Sequence, residues 1–338
     1  MNQLPRRHFL KTGASLTAVA ASAGLLAACG GGDDDVTPAA PTKNIVELAQ
    51  ATPSLSILVE AVIEAGLAGA LSAPGALTVF APTNAAFAAA LTELGLTKAA
   101  LFANKPLLTK VLQYHVLGAK VLKAGIPFGK AIVPIVPGGA DFFKIEVNGA
   151  AVEITDGRNR SPKSKITDTD ILATNGVVHL IDKVILPADK DIVATALAAN
   201  PEFSTLVAAL QQANLVTALQ GAGPFTVFAP TNLAFDNLRQ ELAGAGNPPI
   251  TVAALLANAK LADILKYHVL SGVRVLKAEI PVSAAVPTLA GATETISINA
   301  AFVITDKKGR TSNITATDIF NTNGVIHVID KVILPSVA

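Results

Sequence analysis

The sequence predicts an α+β protein built twice from one domain, and three observations carry that reading. A long segment recurs at a spacing of 148 residues, amphipathic helical signals fill the first half of each copy, and paired-strand signals with tight turns fill the second. Helices first and strands later, with no alternating βαβ rhythm, argue for α+β over a doubly wound sheet.

The repeat decides the domain count. Thr78 to Phe87 (TVFAPTNAAF) returns as Thr226 to Phe235 (TVFAPTNLAF), nine matches in ten at an offset of 148. Thr174 to Pro187 (TNGVVHLIDKVILP) returns as Thr322 to Pro335 (TNGVIHVIDKVILP), twelve matches in fourteen at the same offset. Between them Tyr114-His115-Val116-Leu117 returns as Tyr267-His268-Val269-Leu270 at 153, so the second copy gains five residues, placed around Gly244 to Pro249, and loses them later. This period is too long for a solenoid unit and suits a self-sufficient domain. The copies span 43–187 and 188–338, and only Ala188-Asp189-Lys190 joins them. So short a connection holds the copies close.

The first 28 residues read as a signal peptide. Arg6, Arg7 and Lys11 form a basic start, and the 17 residues from Thr12 to Ala28 are mostly small, shorter and less apolar than a spanning helix. Arg6-Arg7-His8-Phe9-Leu10-Lys11 resembles the twin-arginine export motif, with Pro5 where Ser or Thr is usual. Leu26-Ala27-Ala28-Cys29 resembles a bacterial lipobox. Together they imply cleavage before Cys29 and acylation of its thiol and new amine, enough for a stable membrane anchor. Residues 29–42, beginning Cys29-Gly30-Gly31-Gly32-Asp33-Asp34-Asp35, cannot bury a core and are expected to form a flexible, solvated tether.

Within the copies, Asn200-Pro201 predicts an N-cap with Pro at the first helical position, followed by Phe203, Leu206, Val207 and Leu210 on one face. Thr52-Pro53 with Leu55, Leu58, Val59, Val62 and Ile63 repeats the arrangement. The Thr-Val-Phe-Ala run is strand-like, and Pro82 with Thr83 or Asn84 starts a helix through Phe87 and Leu91. Ile145-Glu146-Val147 and Val152-Glu153-Ile154 flank Asn148-Gly149, a hairpin signal. Asn175-Gly176 marks a turn before a strand from Val177 to Leu186.

In this order the TVFAPTN, YHVL and TNGV.H.IDKVILP elements resemble the fasciclin-like domain family, and both copies carry all three. The resemblance implies, for each copy, a wedge-shaped β-sandwich flanked by helices. It also implies extracellular adhesion by tandem domains that bind proteins, matrix or cell-surface glycans, with no catalytic activity.

Composition narrows the function classes. A single Cys excludes an intrachain disulfide framework, a multi-Cys metal site and a CxxC redox pair. With 26 basic and 25 acidic residues and no long run of like charge, nothing points to nucleic acid. The absence of Trp weakens a neutral-sugar platform or base-stacking surface. No later stretch approaches 18 uninterrupted apolar residues, so the lipid is the only membrane attachment expected.

Every His and Tyr of the mature chain belongs to the repeat, and no unmatched His, Cys or carboxylate cluster marks one copy as an active site. No catalytic, cofactor or metal residue is therefore expected. Tyr114-His115 and Tyr267-His268 carry two readings: a partner-binding motif, which the family suggests, or a half-buried pair that satisfies backbone groups. His179 and His327 alternate with apolar neighbours and are expected to point inward or to the edge of the core. Asp182 and Asp330, next to Lys183 and Lys331, face opposite sides of a strand from those lysines and read as surface and turn chemistry. Arg158, Arg160, Lys163 and Lys165 place four cations in eight residues, with Lys307, Lys308 and Arg310 as their counterpart. These suit a sulfated, phosphorylated or uronic glycan, or else are solvated hairpin tips. The function expected is a lipid-anchored, extracytoplasmic adhesion or binding module of the bacterial envelope that recognises proteins or envelope and matrix glycans. The alternatives are an enzyme that modifies envelope polysaccharide and a purely structural envelope protein.

Overall fold

A computed structural model describes residues 40–337. The expected signal peptide, its two export-type motifs, Cys29 and the tether up to residue 39 lie outside the described residues. The first copy runs α1 (Ile45–Gln50), α2 (Ser56–Glu64), α3 (Ala68–Ser72), β1 (Leu77–Pro82), α4 (Asn84–Leu94), α5 (Lys98–Ala103), α6 (Lys105–Tyr114) and β2 (Val116–Leu117). It continues through β3 (Ala131–Ile132), β4 (Phe143–Asn148), β5 (Ala151–Thr155), β6 (Ser164–Ala173) and β7 (Gly176–Ile181). The second copy repeats the order in α7 (Ile192–Ala198), α8 (Ser204–Gln212), α9 (Val216–Leu219), β8 (Phe225–Pro230), α10 (Asn232–Ala243), α11 (Val252–Leu256) and α12 (Leu261–Tyr267). Strands β9 (Val269–Ser271), β10 (Ala285–Thr288), β11 (Gly291–Ile298), β12 (Val303–Thr305), β13 (Thr311–Asn321) and β14 (Gly324–Ile329) complete it.

Each copy has one seven-stranded sheet, in the order β2-β1-β7-β6-β5-β4-β3 and its counterpart β9-β8-β14-β13-β12-β11-β10. Strands β1 and β7 are parallel, while the other neighbours in the first sheet are antiparallel. The expected sandwich is made by one sheet curling over itself. Strand β6 pairs with β5 at its start and with β7 along the rest, across register shifts between Ile166, Asp168 and Ile171. Such bulges bend and twist a strand. Side-chain alternation along β1 then serves two cores. Val79 and Ala81 pack against the helices, whereas Phe80 joins Tyr114, Phe143, Ile145, Ile154 and Ile181 inside the curl. There the Phe80 and Phe143 rings meet edge-on at 5.4 Å.

The recurring Thr-Asn pairs are caps, and they correct the expected starts of two helices. Thr83 caps its own helix α4, accepting the Ala86 N–H at 3.3 Å. Asn84 instead serves α2: its Oδ1 accepts the Ile57 N–H at 2.9 Å, and its Nδ2 donates to the Pro53 carbonyl at 3.1 Å. Asn232 accepts the Thr205 N–H at 2.9 Å in the same way, so α8 begins at Ser204, past the Asn200-Pro201 signal. In α2 the start is likewise Ser56, with Pro53–Leu55 forming a 3₁₀ turn before it. The cap comes from a distant helix, which local spacing does not reveal.

Asn175 does similar work at the turn before β7. Its Oδ1 accepts the Ile45 N–H at 3.0 Å, and its Nδ2 donates to the Leu71 and Ala73 carbonyls at 2.8 and 2.9 Å. The next residue must be Gly, because a Cβ at Gly176 would lie 2.1 Å from the Leu77 carbonyl oxygen. The hairpin expected at Asn148-Gly149 forms, with Asn148 opposite Ala151. The strand expected to reach Leu186 ends at Ile181. Beyond it, side chains replace the ladder: Ile185 N–H donates to His115 Nε2 at 3.0 Å and Leu186 N–H to Asp156 Oδ2 at 3.0 Å. An apolar run looks the same from sequence whichever acceptor takes its N–H groups.

Candidate functional site

The duplicated Tyr-His pairs, read as a partner-binding motif or as a half-buried pair that satisfies backbone groups, are buried in both copies. Tyr114 is fully buried, its hydroxyl donating to the Phe142 carbonyl at 2.5 Å. Tyr267 donates to the Thr295 carbonyl at 2.8 Å and accepts the Lys307 N–H at 3.1 Å. Burial pushes both phenols above their ordinary range. His115 accepts the Ile185 N–H at Nε2, so Nδ1 carries the proton and donates to the Val111 carbonyl at 2.7 Å. His268 repeats this with Ile333 and Ile264. Burial lowers both imidazoles to about 4, which keeps them neutral.

His179 and His327 are buried as well. Each accepts an N–H at Nδ1, from Asp170 at 3.2 Å and Asp318 at 3.3 Å, and donates from Nε2 to the Val121 and Val275 carbonyls at 2.9 Å. Burial also lowers the pKa of His327. Asp182 accepts the Lys165 N–H at 2.7 Å and Asp330 the Asn313 N–H at 2.7 Å, the turn chemistry their position suggests.

The basic segment divides. Arg160 is fixed in the fold: it donates to Asp156 at 2.6 and 2.8 Å, to Glu93 at 3.0 Å and to the Val184 carbonyl. Its side chain is 12% exposed, so it is not a ligand-facing cation. Arg310 does the same in the second copy, donating to Glu241 at 2.6 Å and to the Val332 carbonyl at 3.1 Å. Arg158 lies 3.3 Å from Asp189, and Lys163 lies 2.9 Å from Glu146. Lys165 is exposed. Of the four, Arg160 is withdrawn by its geometry, and Arg158 and Lys163 are ion-paired.

What sequence reasoning missed is the joint between the copies. Lys144 on β4 is buried, with its ammonium 2.7 Å from Asp318 on β13 and 2.8 Å from Glu146. Burial pulls the ammonium down, but the two carboxylates outweigh it and hold the pKa above its ordinary value. Beside this pair the Phe142 and Phe320 rings lie 4.5 Å apart, and the Arg274 guanidinium sits 3.8 Å over Phe142. Leu276 and Val325 complete the apolar cluster. Asn159 imitates a peptide group on the edge of β13, donating to the Phe320 carbonyl at 3.0 Å and accepting its N–H at 2.8 Å. The first copy makes this contact with residues the second does not repeat. By strand register, and by the shared hydrogen bonds of Tyr114 and Tyr267, Thr295 stands at the position of Phe142 and Ser297 at that of Lys144. Gly309 stands at that of Asn159. Departures from the repeat are the signal that marks the joint.

Among the described residues no helix is long and apolar enough to cross a membrane, and no group of three or more His, Cys, Asp or Glu is placed to hold a metal ion. The fasciclin domain matches residues 53–187 and 201–335. The transforming growth factor-beta-induced protein ig-h3 of Sus scrofa is 30% identical over 269 residues, which are 79% of this chain and 36% of that protein. The cell surface glycolipoprotein MPB83 of Mycobacterium bovis is 34% identical over 156 residues, 43% of this chain and 61% of that protein. The solved FAS1 domain pair from the insect cell adhesion molecule fasciclin I is 19% identical with a TM-score of 0.39, covering 83% of this chain and 97% of that one. The chain thus spans less than two thirds of the length of either curated relative. With both copies matched over nearly their full length, the chain belongs to the fasciclin domain family.

Proposed function

We propose that the protein is an adhesion module displayed on the bacterial envelope, anchored through a lipid on Cys29, that binds proteins or envelope and matrix glycans. The observation that carries this reading is the joint. A buried ion pair, an aromatic cluster and a backbone-like Asn contact hold two fasciclin domains as one body. Two modules at one spacing on a tether raise effective concentration without a strong single site. A relative named as a cell surface glycolipoprotein supports the location. The four mature histidines are each buried and bound to backbone groups, which leaves an envelope-polymer enzyme without an accessible imidazole.

The test has two parts. Purified residues 30–338 are expected to bind cells, matrix proteins or envelope glycans above a domain-scrambled control; equal binding by the control removes the adhesion reading. In cells, Cys29→Ser is expected to move the protein from the membrane fraction to the soluble one, and unchanged fractionation removes the anchor.

A further inference from the structure

The face that the second copy presents to the joint is also carried by the first copy, where, among the described residues, it lies open. At the joint, Asp318 sits in the left-handed region at φ 61°, gives its N–H to His327 Nδ1 and accepts the Lys277 N–H at 2.8 Å on Oδ1. Its Oδ2 takes the ammonium of Lys144. Asp170 repeats each fixture: φ 61°, its N–H on His179 Nδ1, and the Lys123 N–H at 2.8 Å on Oδ1. Leu172 faces Val177 in register as Phe320 faces Val325, and Leu122 precedes Lys123 as Leu276 precedes Lys277. Burial differs. Leu276 and Phe320 are 0% and 2% exposed, whereas Leu122 and Leu172 are 41% and 42% exposed. Asp170 is exposed too, as is Lys120, which stands where Arg274 covers Phe142.

A carboxylate held in place between two exposed leucines is an arrangement ready for a cation flanked by an apolar group. The filled joint shows which groups fit: an aromatic ring, a lysine two residues later in the chain, and an Asn amide beside them. A second copy of this chain does not supply them. Its Phe142, Lys144 and Asn159 are engaged within its own joint, and its second domain has Thr295, Ser297 and Gly309 at those positions.

We propose that the open face around Leu122, Asp170 and Leu172 docks a separate β-module that carries an aromatic residue two positions before a strand lysine, in the head-to-tail geometry of the internal joint. The proposal is independent of the adhesion reading, since it concerns a different partner and a face defined by the internal repeat.

The test writes the matching residues onto the second domain of the whole protein. Thr295→Phe, Ser297→Lys and Gly309→Asn together are expected to convert a monomer, by sedimentation velocity, into a concentration-dependent head-to-tail series. Adding Asp170→Lys is expected to weaken that assembly on the order of a hundredfold. A folded triple variant that stays monomeric up to about 1 mM overturns the proposal. So does assembly that Asp170→Lys leaves unchanged. If the triple variant does not fold, Ser297→Lys alone alters one exposed side chain; it is expected to give weaker association that still depends on Asp170, and none at all overturns the proposal.

Discussion

The ammonium of Lys144 and the carboxylate of Asp318 meet at 2.7 Å across the two domains, with their side chains 7% and 3% exposed. Deleting one partner strands the other charge in a dry site, a loss of about 3–5 kcal/mol. Lys144→Met is therefore expected to lower stability by that order and to split one calorimetric transition into two. Combining it with Asp318→Asn is expected to recover most of the loss, because the amide keeps the acceptor for the Lys277 N–H and leaves no unpaired charge in the site. A single unshifted transition in Lys144→Met would show that the joint does not couple the domains.

Acid is expected to destabilise both domains through the same residue. His115 and His268 take a proton in the folded state only near about 4, against an ordinary 6.5. Between those values the unfolded chain binds more protons, so stability is fully present above about 6.5 and falls as the pH drops towards 4. The loss is of order 3 kcal/mol per histidine at the acid end. Denaturant melts between pH 7.5 and 4.5 measure it. His115→Gln is expected to lower stability at neutral pH and flatten the slope for the first domain, whereas an unaltered slope contradicts the assignment.

Asn84→Ala removes bonds to the Ile57 N–H, the Pro53 carbonyl and Ser56 Oγ, all on or before α2. A cost of about 1–2 kcal/mol is expected, typical of a lost helix cap. Asn84→Asp keeps the acceptor for Ile57 and is expected to restore part of it. Equal midpoints for the two variants in urea would place the stabilisation elsewhere.

Arg160 and Lys165, five residues apart, are expected to behave oppositely. Arg160→Ala exposes Asp156, which is 4% exposed, to an unpaired burial and is expected to cost about 2–3 kcal/mol. Lys165→Ala is expected to stay within about 0.5 kcal/mol of the parent. If anionic glycan binding depends on this segment, Lys165→Ala weakens it without changing the melting temperature. Any loss in Arg160→Ala is expected to track its melting temperature. Binding lost in Arg160→Ala at full stability would return that residue to the ligand.

The repeat at 148 residues makes the duplicated domain legible, and the hairpin at Asn148-Gly149 and the helix after Thr83 are legible because each rests on residues close in the chain. The remote caps were not legible. Nothing in the spacing of Asn84 or Asn175 says that their amides close helices distant in sequence. The Tyr-His pairs stand out because they repeat, and in both copies the His accepts a backbone N–H, from Ile185 and from Ile333. The joint was hidden for the opposite reason. Phe142, Lys144 and Asn159 differ from their counterparts, and a search for likeness passes over residues whose importance lies in the difference.

Gly309, at the position of Asn159, gives the pair of domains a direction. Units that stack head to tail continue indefinitely if each carries both faces, as in an open filament. The second domain lacks the aromatic ring, the cation and the amide that would seat a third. The two domains are therefore not interchangeable: the surface that seats a neighbour in the first is missing from the second, so the contact between them has one polarity.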